Sequence, residues 1–251
     1  MSNLGDEISP ILLSHLSGRP IVRAGLDDCD GIAIGSIFYP RKVSARKRSK
    51  PLFVWGSGTL KPRPCSYKGL SVILAALRSP RTASQIEGCP HVPFGDPGLF
   101  VHEIWSRQEP SSGRIGIIPH HSLRKHPATI RLGEVRENSV MIDFTSADLA
   151  KPLQALSSCQ FIVSSSRHGL IIADAYGIPS VFWNELGEEN EWKFLDYFEG
   201  VGRKNYVALT AEQIIQATCN GGSESLPFSV LPERACDQIV EDLRAAAKMM
   251  P

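Results

Sequence analysis

Seven short runs rich in β-branched and aromatic residues recur along this chain: Ile32-Ala-Ile-Gly, Leu52-Phe-Val-Trp, Val72-Ile-Leu-Ala, Ile115-Gly-Ile-Ile, Val140-Met-Ile-Asp, Phe161-Ile-Val-Ser and Ser180-Val-Phe-Trp. They are apolar along most of their length rather than alternating, and Gly, Pro or Ser bounds them. That pattern suits parallel strands covered on both faces. Between and after them the spacing predicts helices over 148–158, 168–176, 210–219 and 233–249. Asp148 and Thr210 are N-cap candidates, and Pro179 lies just past the end of the helix over 168–176. Strands alternating with helices imply a doubly wound α/β sheet.

The polar stretch Ser106-Arg-Gln-Glu-Pro-Ser-Ser-Gly-Arg divides the pattern into two series of similar size. It reads as a linker over 106–114 between an N-terminal Rossmann-like domain (1–105) and a C-terminal one (115–230), followed by a terminal helix (231–251). Two such doubly wound halves leave a cleft between them. Only two residues precede Asn3-Leu-Gly-Asp, which looks like the turn after a first strand. Either the first domain lacks that strand or its start lies upstream of Met1.

Charge and cysteine usage narrow the class. A net charge of +1 gives no global field to favour nucleic acid. The six cysteines form no CxxC pair, and reduced thiols are expected. The N-terminal residues lack a secretory pattern, and no window approaches the ~20 apolar residues of a membrane span, so a cytoplasmic location is expected. The dense basic run Arg41-Lys-Val-Ser-Ala-Arg-Lys-Arg-Ser-Lys reads as a solvated loop. Its alternative is peripheral contact with anionic lipid headgroups.

The most informative segment is Ser164-Ser-Ser-Arg-His-Gly-Leu-Ile-Ile-Ala-Asp-Ala-Tyr-Gly-Ile-Pro-Ser-Val. Here a strand runs into a polar turn and then a helix. Ser165, Ser166 and backbone N–H groups stand at a helix N-terminus, where an anion is stabilised. Arg167 adds a charge-assisted fork, and His168 can transfer a proton near neutral pH. The run resembles the Ser-x-x-His-Gly signature of the polysaccharide pyruvyltransferases. Further pieces resemble that family in the expected order: Asn3-Leu-Gly-Asp6, Trp55-Gly-Ser-Gly-Thr-Leu, Arg78-Ser-Pro-Arg81-Thr, Gly95-Asp-Pro-Gly, Ile118-Pro-His120-His121 and Glu191-Trp-Lys-Phe-Leu-Asp-Tyr-Phe. Two departures stand out: Arg78 is followed by Ser rather than Gly, and Arg167 directly precedes His168.

The resemblance implies two Rossmann-like halves arranged as in the glycosyltransferase-B fold. It also implies transfer of the enolpyruvyl unit of phosphoenolpyruvate to a sugar, giving a pyruvate ketal. Arg78 is then the first clamp for phosphate or carboxylate, with Arg81 or Arg167 as second donor. His120, Ser165, Ser166 and Lys193 complete the substrate-binding set. His168 protonates the enol carbon, and Asp6 accepts the proton of the attacking hydroxyl. The scheme requires no cofactor and no metal. Its partners are phosphoenolpyruvate and a sugar acceptor, expected to be lipid-linked, at the inner membrane face.

Structural readings stand beside these roles. Asp6 is also a candidate N-cap for a helix near Ile8 to Leu16, Arg78 a partner for Glu87, and Asp96 a shaper of its loop. Cys89, His91, His120, His121 and His126 invite a metal reading without any HExxH or paired CxxC spacing. Two other functions fit the pattern: a nucleotide-sugar-dependent glycosyltransferase, and an inactive relative that binds glycan.

Overall fold

The structure, a computed structural model, describes residues 4–39, 43–44, 48–111, 113–134, 138–187, 191–222 and 225–251. Asn3 and half of the basic run Arg41 to Lys50 lie outside them. The chain forms two compact units: Met1–Glu7 with Leu99–Glu189 and Lys204–Pro232, and Ile8–Gly98 with Asn190–Arg203 and Glu233–Pro251. The boundary between Glu7 and Ile8 falls inside the first helix, α1 (Leu4–Ser17).

The first unit is built on a five-stranded sheet of β6 (Ile115–Ile118), β7 (Ser139–Met141), β8 (Phe161–Ser164), β9 (Ser180–Trp183) and β10 (Ala208–Leu209). Its spatial order is β10-β9-β8-β6-β7, and every pair is parallel. Counted within the unit this is the doubly wound order 2-1-3-4-5. One face (Ile115, Ile117, Val163, Val181, Trp183) packs on Leu123, on Ala128 and Leu132 of α4 (Pro127–Glu134), and on Ala211 and Ile214 of α8 (Ala211–Gly221). The opposite face meets α6 (Arg167–Ala175) and the residues that follow α5 (Ala150–Ser157). A Cβ on Gly116 would press against Ile162, Ile142 and the Cys159 sulfur at 2.7–3.0 Å. Burial on both faces explains why β6, β8 and β9 read as continuous apolar runs.

The second unit holds a three-stranded parallel sheet, β1 (Gly31–Ile32), β2 (Leu52–Ser57) and β4 (Val72–Leu77), in the order β1-β2-β4. A separate parallel pair joins β3 (Cys65–Ser66) to β5 (Ile86–Glu87). Ile32, Phe38, Leu52, Val54, Leu74 and Val92 form its core. The terminal helix α9 (Glu233–Ala247) packs on β2 and β4, and the Trp55 indole N–H donates to the Leu243 carbonyl at 2.8 Å. Among the described residues no helix is long and apolar enough to cross a membrane.

The expected strands and helices form within a few residues, with differences of physical origin. The helix expected from Asp148 begins at Ala150, whose N–H donates to the Asp148 carboxylate at 3.1 Å. Thr210 forms a full capping box with Gln213, as its position suggested. Leu4–Asp6 opens α1 instead of forming a turn after a strand, so Asp6 lies in a first helical turn, beyond the cap position. There its charge suits the positive end of the helix dipole.

Burial sets the chemistry of the core thiol. It pushes Cys159 up to about 11, with the nearby Arg114 pulling weakly the other way. The thiolate is the reactive form, and a raised value leaves little of it at pH 8. Alkylation of the native protein at pH 8 should therefore label exposed Cys219 first and spare Cys159, while both react in urea. Rapid native labelling of Cys159, read by peptide mass spectrometry, would contradict this packing.

Candidate active site

In a doubly wound sheet the chain leaves two neighbouring strands toward opposite faces, and a crevice opens at their carboxyl ends. In the first unit those strands are β6 and β8. The loops leaving them carry Pro119-His120 and Ser165-Ser166-Arg167-His168. Ser165 ties the two together: its N–H donates to the Ile118 carbonyl at 3.0 Å, and its hydroxyl accepts the His120 N–H at 2.8 Å. Ser164 braces the turn beneath, accepting from the Ser166 N–H at 3.0 Å and donating to the Ser166 carbonyl at 2.8 Å. The His120 ring is held by Ser122, whose hydroxyl lies 2.8 Å from Nδ1 and whose N–H lies 3.4 Å from it.

Ser166 occupies the N-cap of α6 in extended geometry, yet its hydroxyl makes no capping bond. Serine at this position ordinarily takes an N2 or N3 amide. Arg167 and His168 follow in the first turn, and both are buried. The Arg167 Nη2 donates to His168 Nε2 at 3.1 Å. A guanidinium has no acceptor, so Nε2 is the accepting nitrogen and the ring proton of this tautomer sits on Nδ1. Gly169 explains the residue after the histidine. A Cβ there would overlap the Ser164 hydroxyl and come within 3.1 Å of Ile118, so only glycine lets α6 settle this low on the sheet. From the other side the first turn of α1 closes on the same ring: a Cβ on Gly5 would stand 2.2–2.4 Å from Cε1, Nδ1 and Nε2 of the imidazole, too close for contact.

The structure thus brings together His120, Ser165, Ser166, Arg167 and His168, with Gly5 against the ring and Asp6 next in sequence. Arg78, Arg81 and Lys193 belong to the second unit. Arg78 is fully buried and ion-paired with Asp196 of α7 (Trp192–Gly200), its Nη2 2.5 Å from Oδ2 and both side chains 0% exposed. Arg78 Nη2 also donates to the Ser36 hydroxyl at 3.0 Å and the Thr59 carbonyl at 3.2 Å. Its partner is therefore Asp196, not Glu87. The other carboxylate oxygen of Asp196 accepts from Ser79 and, at 2.8 Å, from the Thr82 hydroxyl. Gly58 leaves no room for a Cβ against this pair, and Trp192 Nε1 donates to Thr59 Oγ1 at 3.2 Å. The glycine turn, the arginine motif and the α7 segment are one buried network.

Arg81 lies at its margin, paired with Glu199 and stacked over Trp192 at 4.9 Å. Lys193 is buried with its amine over the Phe194 ring at 5.3 Å. Asp96 shapes its loop by accepting from the Gly98 N–H at 2.9 Å. The histidines of the metal reading have other contacts: His126 Nδ1 accepts from Ala128 N–H at 3.2 Å, near the start of α4. No group of three or more His, Cys, Asp or Glu side chains is placed to hold a metal ion among the described residues. Sequence reasoning chose Lys193 from the α7 segment and missed Asp196. An aspartate between Leu195 and Tyr197 on an aromatic helix was the signal, since a buried carboxylate needs a cation.

Removing one member of a buried pair strands the other charge, at about 3–5 kcal/mol. Arg78→Ala should therefore lower unfolding free energy by that amount in urea titration, and Arg81→Ala by less than about 1 kcal/mol. Equal effects would show that Arg78 is not the anchor of this network.

A family model described as polysaccharide pyruvyl transferase matches residues 3–183. The match takes in the α1 turn, the glycine and arginine motifs, the β6 and β8 loops and His168. A curated relative, an uncharacterized protein of Acanthamoeba polyphaga mimivirus, is 31% identical over 123 residues, covering 46% of this chain. The aligned stretch spans only 42% of that protein's length. With the signature residues gathered at the sheet's switch point and the match extending over most of the sequence, this chain belongs to the polysaccharide pyruvyl transferase family.

Proposed function

We propose that this chain transfers the enolpyruvyl unit of phosphoenolpyruvate to a sugar hydroxyl and closes it to a pyruvate ketal. The observation that carries the reading is the placement of His168. It is buried to 6% exposure at the head of α6, bonded to Arg167, at the carboxyl end of β8, the side of an open α/β sheet on which ligands bind. Phosphoenolpyruvate presents a phosphate and a carboxylate around one small enol. Ser166, Arg167 and the amino end of α6 offer an anion a hydroxyl, a guanidinium and the positive end of a helix dipole.

The chemistry then follows from the enol. His168 delivers a proton to the methylene carbon, the C=C pair forms the new C–H bond, and C2 becomes an oxocarbenium centre. A sugar hydroxyl adds to C2 and loses its proton to a base, the role assigned to Asp6. Phosphate leaves with the electrons of its C–O bond. A second hydroxyl of the same sugar attacks C2 and releases a second proton. The balance is one phosphate released and one ketal formed, with no redox change.

His120, at the end of β6, lines the acceptor side in this reading. The donor is a cytoplasmic metabolite, which places the reaction in the cytoplasm. The acceptor proposed is a lipid-linked oligosaccharide at the inner membrane face.

Calorimetry with phosphoenolpyruvate, beside a nucleotide sugar, tests the donor. Saturable binding is expected for phosphoenolpyruvate alone. His168→Asn should keep that binding while phosphate release in the presence of acceptor glycans falls by roughly 10²- to 10⁴-fold, the range for loss of a general acid. Binding of the nucleotide sugar instead would indicate a glycosyltransferase. Tight glycan binding by wild type without phosphate release would indicate an inactive relative.

A further inference from the structure

We infer that Gly5 is a positioning residue for His168, a role that rests on the reading of His168 as the acid. Gly5 lies inside α1, and its φ is not in the left-handed region, so backbone freedom does not require a glycine there. What requires glycine is the ring: an added Cβ would clash with Cε1, Nδ1 and Nε2 of His168 at 2.2–2.4 Å. Those three atoms are the Nδ1–Cε1–Nε2 end of the imidazole, so the first turn of α1 packs directly against the ring.

The turn that does this is itself fixed. The Leu4 N–H donates to the Phe144 carbonyl at 2.9 Å, and Leu4 is buried. The loop carrying Phe144 is stiffened in turn by Asp143, whose carboxylate accepts the Thr145 N–H at 2.9 Å and the Thr145 hydroxyl at 2.7 Å. His168 is thus held from three directions: by α6 on the sheet through Gly169, by Arg167 at Nε2, and by the β7 loop acting through α1. A side chain at position 5 must rotate the ring or push α1 back. Rotation breaks the Arg167 bond, and retreat breaks the Leu4 bond. Either change misplaces the acid while leaving Ser166 and Arg167 in place for the donor.

Gly5→Ala tests this in the full chain. Long-range ¹H–¹⁵N spectra of the histidine rings, with His168 assigned by the loss of its signals in His168→Asn, should show both His168 nitrogens displaced. The melting temperature should stay near that of wild type. In turnover with phosphoenolpyruvate and acceptor, kcat should fall roughly 10- to 100-fold, the scale of a misplacement near 1 Å, with KM for phosphoenolpyruvate changed by less than about twofold. A folded Gly5→Ala protein with unchanged His168 resonances overturns the inference. The spectra need no turnover, so a wild-type protein inactive with phosphoenolpyruvate would refute the function while leaving the positioning claim decided. If Gly5→Ala does not fold, Leu4→Ala serves: by loosening the same turn it should displace the same two signals, and unchanged signals would again overturn the claim.

Discussion

The parting of the chain at β6 and β8 is the constraint on which the first unit depends. The chain leaves β6 for α4 on one face and β8 for α6 on the other. The loops that leave the two strands therefore diverge at the carboxyl ends, and the head of α6 stands beside that point. Ser165 makes that point a defined place by binding both loops at once, through Ile118 and His120. Everything the candidate site offers, from the hydroxyl of Ser166 to the ring of His168, is mounted on that fastening.

The second unit rests on a different interaction. The Arg78–Asp196 pair takes two charges fully out of water, a cost that mutual attraction alone does not offset. The remaining hydrogen bonds, from Ser79 and Thr82 to the carboxylate and from the guanidinium to Ser36 and Thr59, make it tolerable. The effect is specification more than stability. The turn at Gly58-Thr59, the start of α2 (Pro80–Ala83) and α7 can meet in one arrangement only, because any other leaves a buried charge unpaired.

How much of this was legible in the sequence depended on the range of the interaction. β8 and β9 occupy the same residues as the runs that announced them, because an apolar stretch between turn residues is a local signal. β10 is two residues long and exists only because β9 offers an edge beside it; nothing local marks it. The histidine signature lies on the turn after β8, and the structure groups Ser165, Ser166, Arg167 and His120 there. Arg78 illustrates the limit. Its motif was visible, but whether its guanidinium faces solvent or an aspartate 118 residues away is a matter of tertiary contact. The opening turn was misjudged for a similar reason. Leu-Gly-Asp is as compatible with a loop as with a helix, and it is the Phe144 carbonyl that receives the first N–H of α1.

The two glycines packed about His168 and its helix show how a fold positions a side chain without adding one of its own. Gly169 removes the side chain that would lift α6 from Ser164 and Ile118, and so fixes the height of the helix on the sheet. Gly5 removes the one that would hold α1 away from the imidazole, and so fixes the ring within that helix. Each sets one coordinate of the same side chain, and each works by what it lacks. A side chain that is to transfer a proton must be held to a fraction of an ångström. A glycine backbone packed directly against its neighbour is a stiffer support than a side chain, which has rotamers to lose.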